Sequence, residues 1–308
     1  MKRFRNPDCI ERTIAAIESD RRSGATELAL RSLDAFVRAR PVSGVSVNRY
    51  RQDIYYLAKR MCRARPTMVV IEMVVRSLIY DFERRAQQSD SATQAYNALA
   101  SLSLGMKDEF EDIARRVVLN FRTRFSRLRH PMVISYSSRV LQTIGGSGAS
   151  GRQVTVCESR TAYEGRRTAR LLAASVASVT LITEAQIGIA MNDCDSVVLG
   201  CDAVYADGSI INKTGSYLLA LAAKAKKRPV IVLGDTYKLA PGKPPPSESH
   251  PLRQVWGQPP KGIRLSNVCF EEVPAALLDF YVMQDGVYTS AQIKSMWKSH
   301  AKRLASLT

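Results

Sequence analysis

Apolar residues from Ile10 to about Phe125 recur three and four positions apart, as at Ile10, Ile14 and Ile17 and again at Leu28, Leu33, Phe36 and Val37. That interval brings them onto one face of a helix, so the segment predicts several antiparallel helices. Breaks are expected at Ser23-Gly24, from Pro41 to Gly44, and at Arg65-Pro66, where the proline suits the first turn of a helix starting near Thr67.

After His130-Pro131 the pattern changes to short apolar runs bounded by Gly, Ser and Asp: MVISYS, QVTVCES, SVTLIT, DSVVLGCD and PVIVLGD. These β-branched runs alternate with helical stretches at Thr168–Ala174 and Tyr217–Lys226, the pattern of a parallel sheet with crossover helices. The reading is therefore an α/β protein: a helical bundle over residues 1–128, then a Rossmann-like domain over 129–308. Gly145–Gly151 reads as a turn without a phosphate-loop lysine, and Lys243–Pro260 as a Pro-rich loop.

Composition narrows the class. The 308 residues are 45% hydrophobic and 24% charged, which excludes a disordered or fibrous chain. No segment has the roughly 18 uncharged apolar residues of a membrane span, and the basic start lacks a signal-peptide core, so a cytoplasmic protein without membrane contact is expected. The six cysteines contain no C-x-x-C pair and the three histidines no cluster, so neither a disulfide scaffold, a metal site nor a cofactor is indicated. Trp256 and Trp297 read as packing anchors.

The charge sum, 45 Lys+Arg against 28 Asp+Glu, is +17 and calls for acidic partners such as phosphorylated sugars, nucleotides or RNA. Arg115, Arg116, Arg122, Arg124, Arg127 and Arg129 crowd one stretch. They read as the solvated face of a long helix; an RNA stripe would want interleaved aromatics that the sequence barely offers.

In a doubly wound sheet, ligands gather beyond the carboxyl ends of the strands. The residues there are Ser135-Tyr136-Ser137-Ser138-Arg139, Glu158-Ser159-Arg160, Asp202, and Asp235-Thr236-Tyr237-Lys238. Asp207–Ser216 reads as a polar turn entering a helix near Tyr217. Backbone N–H groups at that helix start, with Asn212 and Lys213, could hold a phosphate or simply form a capped turn. Asp202 could be a helix cap or a catalytic base.

The runs Cys157-Glu158-Ser159-Arg160, Glu164-Gly165, Gly200-Cys201-Asp202-Ala203-Val204, Asp207 to Gly215 and Thr236-Tyr237-Lys238 resemble the family of eIF2B α/β/δ regulatory subunits. That family also contains isomerases of methylthioribose 1-phosphate and ribose 1,5-bisphosphate. The likeness extends to Ser23-Gly24-Ala25, Arg65-Pro66-Thr67 and the end of the chain. It implies a sugar-phosphate pocket between the domains and a homodimer or a hetero-oligomer with eIF2B-type subunits. Arg160, Asn212, Lys213 and Lys238 match ligand-contacting positions, and Ser23-Gly24-Ala25 matches an Arg-Gly-Ala phosphate loop in which Arg22 is adjacent to the missing arginine.

Asp202 matches the isomerases' catalytic aspartate, whereas Tyr136 stands where their cysteine is expected. Cys201 adjoins Asp202 but faces the other way on an extended strand. The departure at Tyr136 favours a non-catalytic role in translation-initiation regulation or metabolite sensing. The alternative is an aldose–ketose isomerase using Asp202.

Overall fold

A computed structural model describes residues 3–20, 23–146, 148–240, 242 and 249–305, with side chains to residue 299. The chain divides into two compact units, one reaching Ile113 and the other running Ala114–Ala301.

The first unit is helical: α1 (Pro7–Ser19), α2 (Ala25–Val37), α3 (Val47–Ala64), α4 (Val69–Ala86) and most of α5 (Ala92–Arg124). Pro7 opens α1, where its missing N–H costs nothing. Ser46 caps α3 by accepting from Arg49 N. Ile10, Ile14, Ile17, Leu28, Leu33 and Phe36 are all buried, as the spacing requires.

The division into units falls inside α5, ahead of the change in texture at residue 129. The end of α5 belongs with the second unit because Asn120 donates to the Met283 carbonyl (2.8 Å) and Phe121 and Phe125 stack toward Phe280.

The second unit is built on a seven-stranded sheet. Its strands are β1 (Pro131–Ile134), β2 (Gln153–Cys157), β3 (Ser178–Ile182), β4 (Ser196–Gly200), β7 (Val230–Leu233), β9 (Phe280–Met283) and β10 (Gly286–Tyr288). They lie in the order β10-β9-β7-β4-β1-β2-β3, parallel except for β10. β1, β4 and β7 are buried throughout, which is why they read as unbroken apolar runs. The crossover helices are α6 (Ser138–Ile144), α7 (Glu164–Leu172), the short α8 (Ile187–Ala190) and α9 (Ser216–Ala225), with α10 (Ser290–Ala305) last.

The stretch read as one polar turn over Asp207–Ser216 contains a strand. β6 (Ile210–Lys213) sits between β5 (Ala203–Val204) and β8 (Phe270–Val273) in a separate antiparallel sheet. Trp297 is partly buried and donates to the Ala240 carbonyl (3.2 Å), but Trp256 is about half exposed and anchors nothing. Among the described residues, no helix is long and apolar enough to cross a membrane.

Candidate functional site

The strand order fixes where a crevice can open. From β1 the chain steps to β2 on one side and returns to β4 on the other, so β1 and β4 flank the point where the winding reverses. β1 leads into Ser135–Ser138, and β4 ends at Gly200 and leads into Cys201-Asp202. The two ends are close: a Cβ at Gly200 would lie 2.7 Å from the Ser137 hydroxyl, so only glycine fits there.

Half-buried Asp202 is held by its backbone from two sides. Its N–H donates to the Ile211 carbonyl (2.8 Å), and the carbonyl of the preceding Cys201 accepts from Lys238 Nζ (2.6 Å). β6 and the turn after β7 therefore aim the carboxylate together. Lys238 is buried, and its ammonium keeps two further donors beyond the Cys201 bond.

A buried ion pair spans the same end of β4. Arg139, from the first turn of α6 after β1, reaches Asp235, just past β7, at 3.5 Å. β4 lies between β1 and β7, so the pair bridges over its carboxyl end. The second Asp235 oxygen, Oδ1, has no hydrogen-bond partner among the described residues.

The β1 and β2 ends are tied to each other. Ser159 Oγ accepts from Ser135 N (2.7 Å) and donates to the Cys157 carbonyl (3.2 Å). The Glu184 carboxylate accepts from Ser159 N (2.7 Å). Glycine is obligatory at Gly215, where φ is +104° and a Cβ would meet Ile134 Cδ1 at 2.8 Å. At Gly165 a Cβ would collide with the Cys157 carbonyl, so α7 can start against the end of β2 only with glycine there.

The sequence-derived ligand residues fall out unequally. Lys213 is buried and pairs with Glu164 at the start of α7 (2.5 Å). Asn212 donates to Ser216 Oγ (2.9 Å). Arg160 is exposed, its guanidinium 5.5 Å from the Tyr163 ring, and Arg167 lies 3.8 Å over the ring of Tyr136. Gly24 precedes α2 and Ala25 begins it, in the other unit, where Ser23 N donates to Asp20 Oδ1 (2.8 Å). Arg22 lies outside the described residues.

Of the two readings left open for the start of α9, the structure favours the capped turn. The backbone donors at the start of α9 are already taken: Gly215 N and Tyr217 N both donate to Glu271 Oε1, at 2.7 and 2.8 Å. A carboxylate from β8 occupies the place proposed for a phosphate, drawn by the same orphan donors and helix dipole.

Cys201 is excluded from acid–base work. Burial pushes its thiol up to about 12, an effect that Lys238 only partly offsets. Glu184 and Glu271 escaped the sequence reading. Glu184 follows the β3 run closely enough to have been found by the strand-end rule, whereas nothing local marks Glu271.

These features meet a wider pattern in known proteins. Residues 21–290 match the model of the Initiation factor 2 subunit family. The chain belongs to that family. It is 32% identical over 158 residues to a ribose 1,5-bisphosphate isomerase of Archaeoglobus fulgidus, covering 49% of this chain and 50% of that protein. A ribose 1,5-bisphosphate isomerase of Haloferax volcanii is 27% identical over 240 residues, covering 76% and 72%. The chain thus spans about half the length of the Archaeoglobus relative and more of the Haloferax one. The crystal structure of Pyrococcus horikoshii translation initiation factor eIF-2B superposes with a TM-score of 0.76 at 22% identity, covering 92% of this chain and 98% of that one.

These relatives overturn the non-catalytic, regulatory reading. It rested on the tyrosine at the family's cysteine position, yet the Archaeoglobus and Haloferax relatives that match this chain are both named as isomerases.

Proposed function

We propose that this protein is a sugar-phosphate aldose–ketose isomerase, with ribose 1,5-bisphosphate as the first substrate to try. One observation carries the reading: the strands that flank the winding reversal are the two whose ends bear Tyr136-Ser137 and the backbone-clamped Asp202. Isomerisation moves a proton between adjacent sugar carbons. A single carboxylate can take it from one carbon as base and return it to the next as the conjugate acid. Asp202 takes the proton from C2 and returns it to C1; the ring C1–O bond breaks in the same conversion, and the proton lost by the 2-hydroxyl is replaced on the ring oxygen by way of the Tyr136 and Ser137 hydroxyls across the crevice. Cys201 takes no part.

Lys238 and Lys213 hold phosphate charge, and Asn212 and Arg160 are assigned to the same ligand by family resemblance. By family resemblance alone, Arg22, Gly24 and Ala25 are expected to form a further phosphate-binding loop. A dimer is supported by the apolar side chains exposed around α8 and α9: Ile189, Leu218 and Leu221.

The test is incubation of the purified protein with ribose 1,5-bisphosphate, with ketose formation followed by NMR. Turnover is expected, and its absence with both ribose 1,5-bisphosphate and methylthioribose 1-phosphate would overturn the reading. Lys213→Ala should weaken phosphosugar binding about tenfold by calorimetry, the scale of one charge-assisted bond. Unchanged affinity would remove Lys213 from the site.

A further inference from the structure

The arginine-rich stretch noted in the sequence is not used by the crevice. It leads to the opposite, amino-terminal edge of the sheet. Arg129 precedes β1 by two residues and Arg152 precedes β2 by one, and the Arg129 carbonyl accepts from Gln153 N (2.9 Å), so the two arginines stand side by side on neighbouring strands. Adjacent strands lie about 4.8 Å apart. Arg122, in the last turn of α5, joins them. Its guanidinium packs so tightly on the Gly146 turn that any Cβ there would strike it.

Three features mark this cluster as more than a solvated face. Arg152 is only 5% exposed, and although Nη1 donates to the Thr143 and Ile144 carbonyls (3.3 and 3.0 Å), its Nε has no partner. Arg122 Nε and Thr143 Oγ1 are likewise buried and without a hydrogen-bond partner. Buried Nε atoms that make no hydrogen bond among the described residues also occur in Arg65, Arg139 and Arg228, so what marks this edge is the gathering of two such arginines and Thr143 around one helix end.

Charge balance points the same way. The proton affinity of Arg152 is lowered by burial and then by Arg122 and Arg129, with Asp195 acting in the other direction. Asp195 is already engaged: its Oδ2 accepts from Arg129 N and His130 N, and its Oδ1 from Ser196 Oγ. Farther along the edge, Arg228 is within electrostatic reach of Cys194 together with Asp193 and Asp195, so that end is balanced. Arg122, Arg129 and Arg152 thus set three positive charges against the one carboxylate of Asp195, and net positive charge remains at this edge.

We propose that these three arginines form a second anion site, separate from the crevice, that takes a phosphate group. The group can be presented by a polynucleotide backbone or as a small free phosphate. No exposed aromatic ring has been placed among the three, so a polynucleotide would be held by its backbone without regard to sequence.

The experiment titrates the full chain with inorganic phosphate by calorimetry and with single-stranded RNA of mixed sequence by fluorescence anisotropy, at several salt concentrations. Arg129 is exposed, so Arg129→Glu should fold normally and leave isomerase turnover unchanged. It should weaken binding of the successful probe about tenfold or more. For RNA the affinity should fall with salt with a logarithmic slope near roughly −0.7, the value for the one phosphate the site takes, and Arg129→Glu should flatten it. Arg152→Lys, which keeps the charge but loses the fork, should weaken binding less. RNA binding alone identifies a backbone site, and phosphate binding alone a small-anion site. Binding of neither probe, or affinity indifferent to Arg129→Glu, overturns the proposal without touching the isomerase reading.

Discussion

Replacing Asp202 by Asn should leave a folded protein whose conversion of ribose 1,5-bisphosphate is slower by roughly 10²–10⁴-fold, the usual range for loss of a positioned acid–base group. Asparagine keeps the size and shape of the side chain, and two of the bonds that hold this residue in place are made by backbone atoms, with the Ile211 and Cys201 carbonyls as acceptors. Position should therefore survive while the proton acceptor is lost. The loss should appear in kcat more than in KM, because the proposed site assigns phosphate binding to Lys213 and Lys238 rather than to Asp202. Variant turnover within a few-fold of the parent, with thermal unfolding unchanged, would show that another group moves the proton.

The second large effect concerns stability. Asp235 is completely buried and the Arg139 side chain is 4% exposed, so their pairing is shielded from water and salt. Asp235→Ala removes the carboxylate facing the buried Arg139 guanidinium and should cost about 3–5 kcal/mol, read as a lower urea midpoint at unchanged slope. Replacing both partners, Arg139→Met with Asp235→Leu, should restore most of that loss or exceed the parent, since two charges no longer need desolvating. If the single substitution cost under about 1 kcal/mol, the bridge across the end of β4 would not be structural. The double variant also serves function: a stable protein with poor turnover would assign the pair to shaping the crevice.

Much of the fold could be read in advance because its signals are local. Ile10, Ile14 and Ile17 announce a helix by spacing alone, and VVLG or VIVL can be buried on both faces only in a covered parallel sheet. The small sheet of β5, β6 and β8 was missed because Ile210–Lys213 is short and hemmed by Asp, Gly, Ser and Thr, which read as turn chemistry. Its pairing to β8 spans some sixty residues, and no window of sequence carries that.

The site divides along the same line. Asp202, Lys213 and Lys238 could be named from their places after apolar runs and from family likeness. The partners that decide what they can do could not: Glu164 on Lys213, the Cys201 carbonyl on Lys238, and Glu271 on the donors of α9. Each comes from a different element.

Residue order along the chain set the helices, the parallel strands and the family of this protein, since periodicity and short motifs act over a few neighbours. Tertiary structure alone decided which charges are already satisfied. A carboxylate from a distant strand closed the helix start that looked open to phosphate, and three arginines were brought to one sheet edge against the single charge of Asp195. Electrostatic balance depends on distance through space, and sequence separation does not report it.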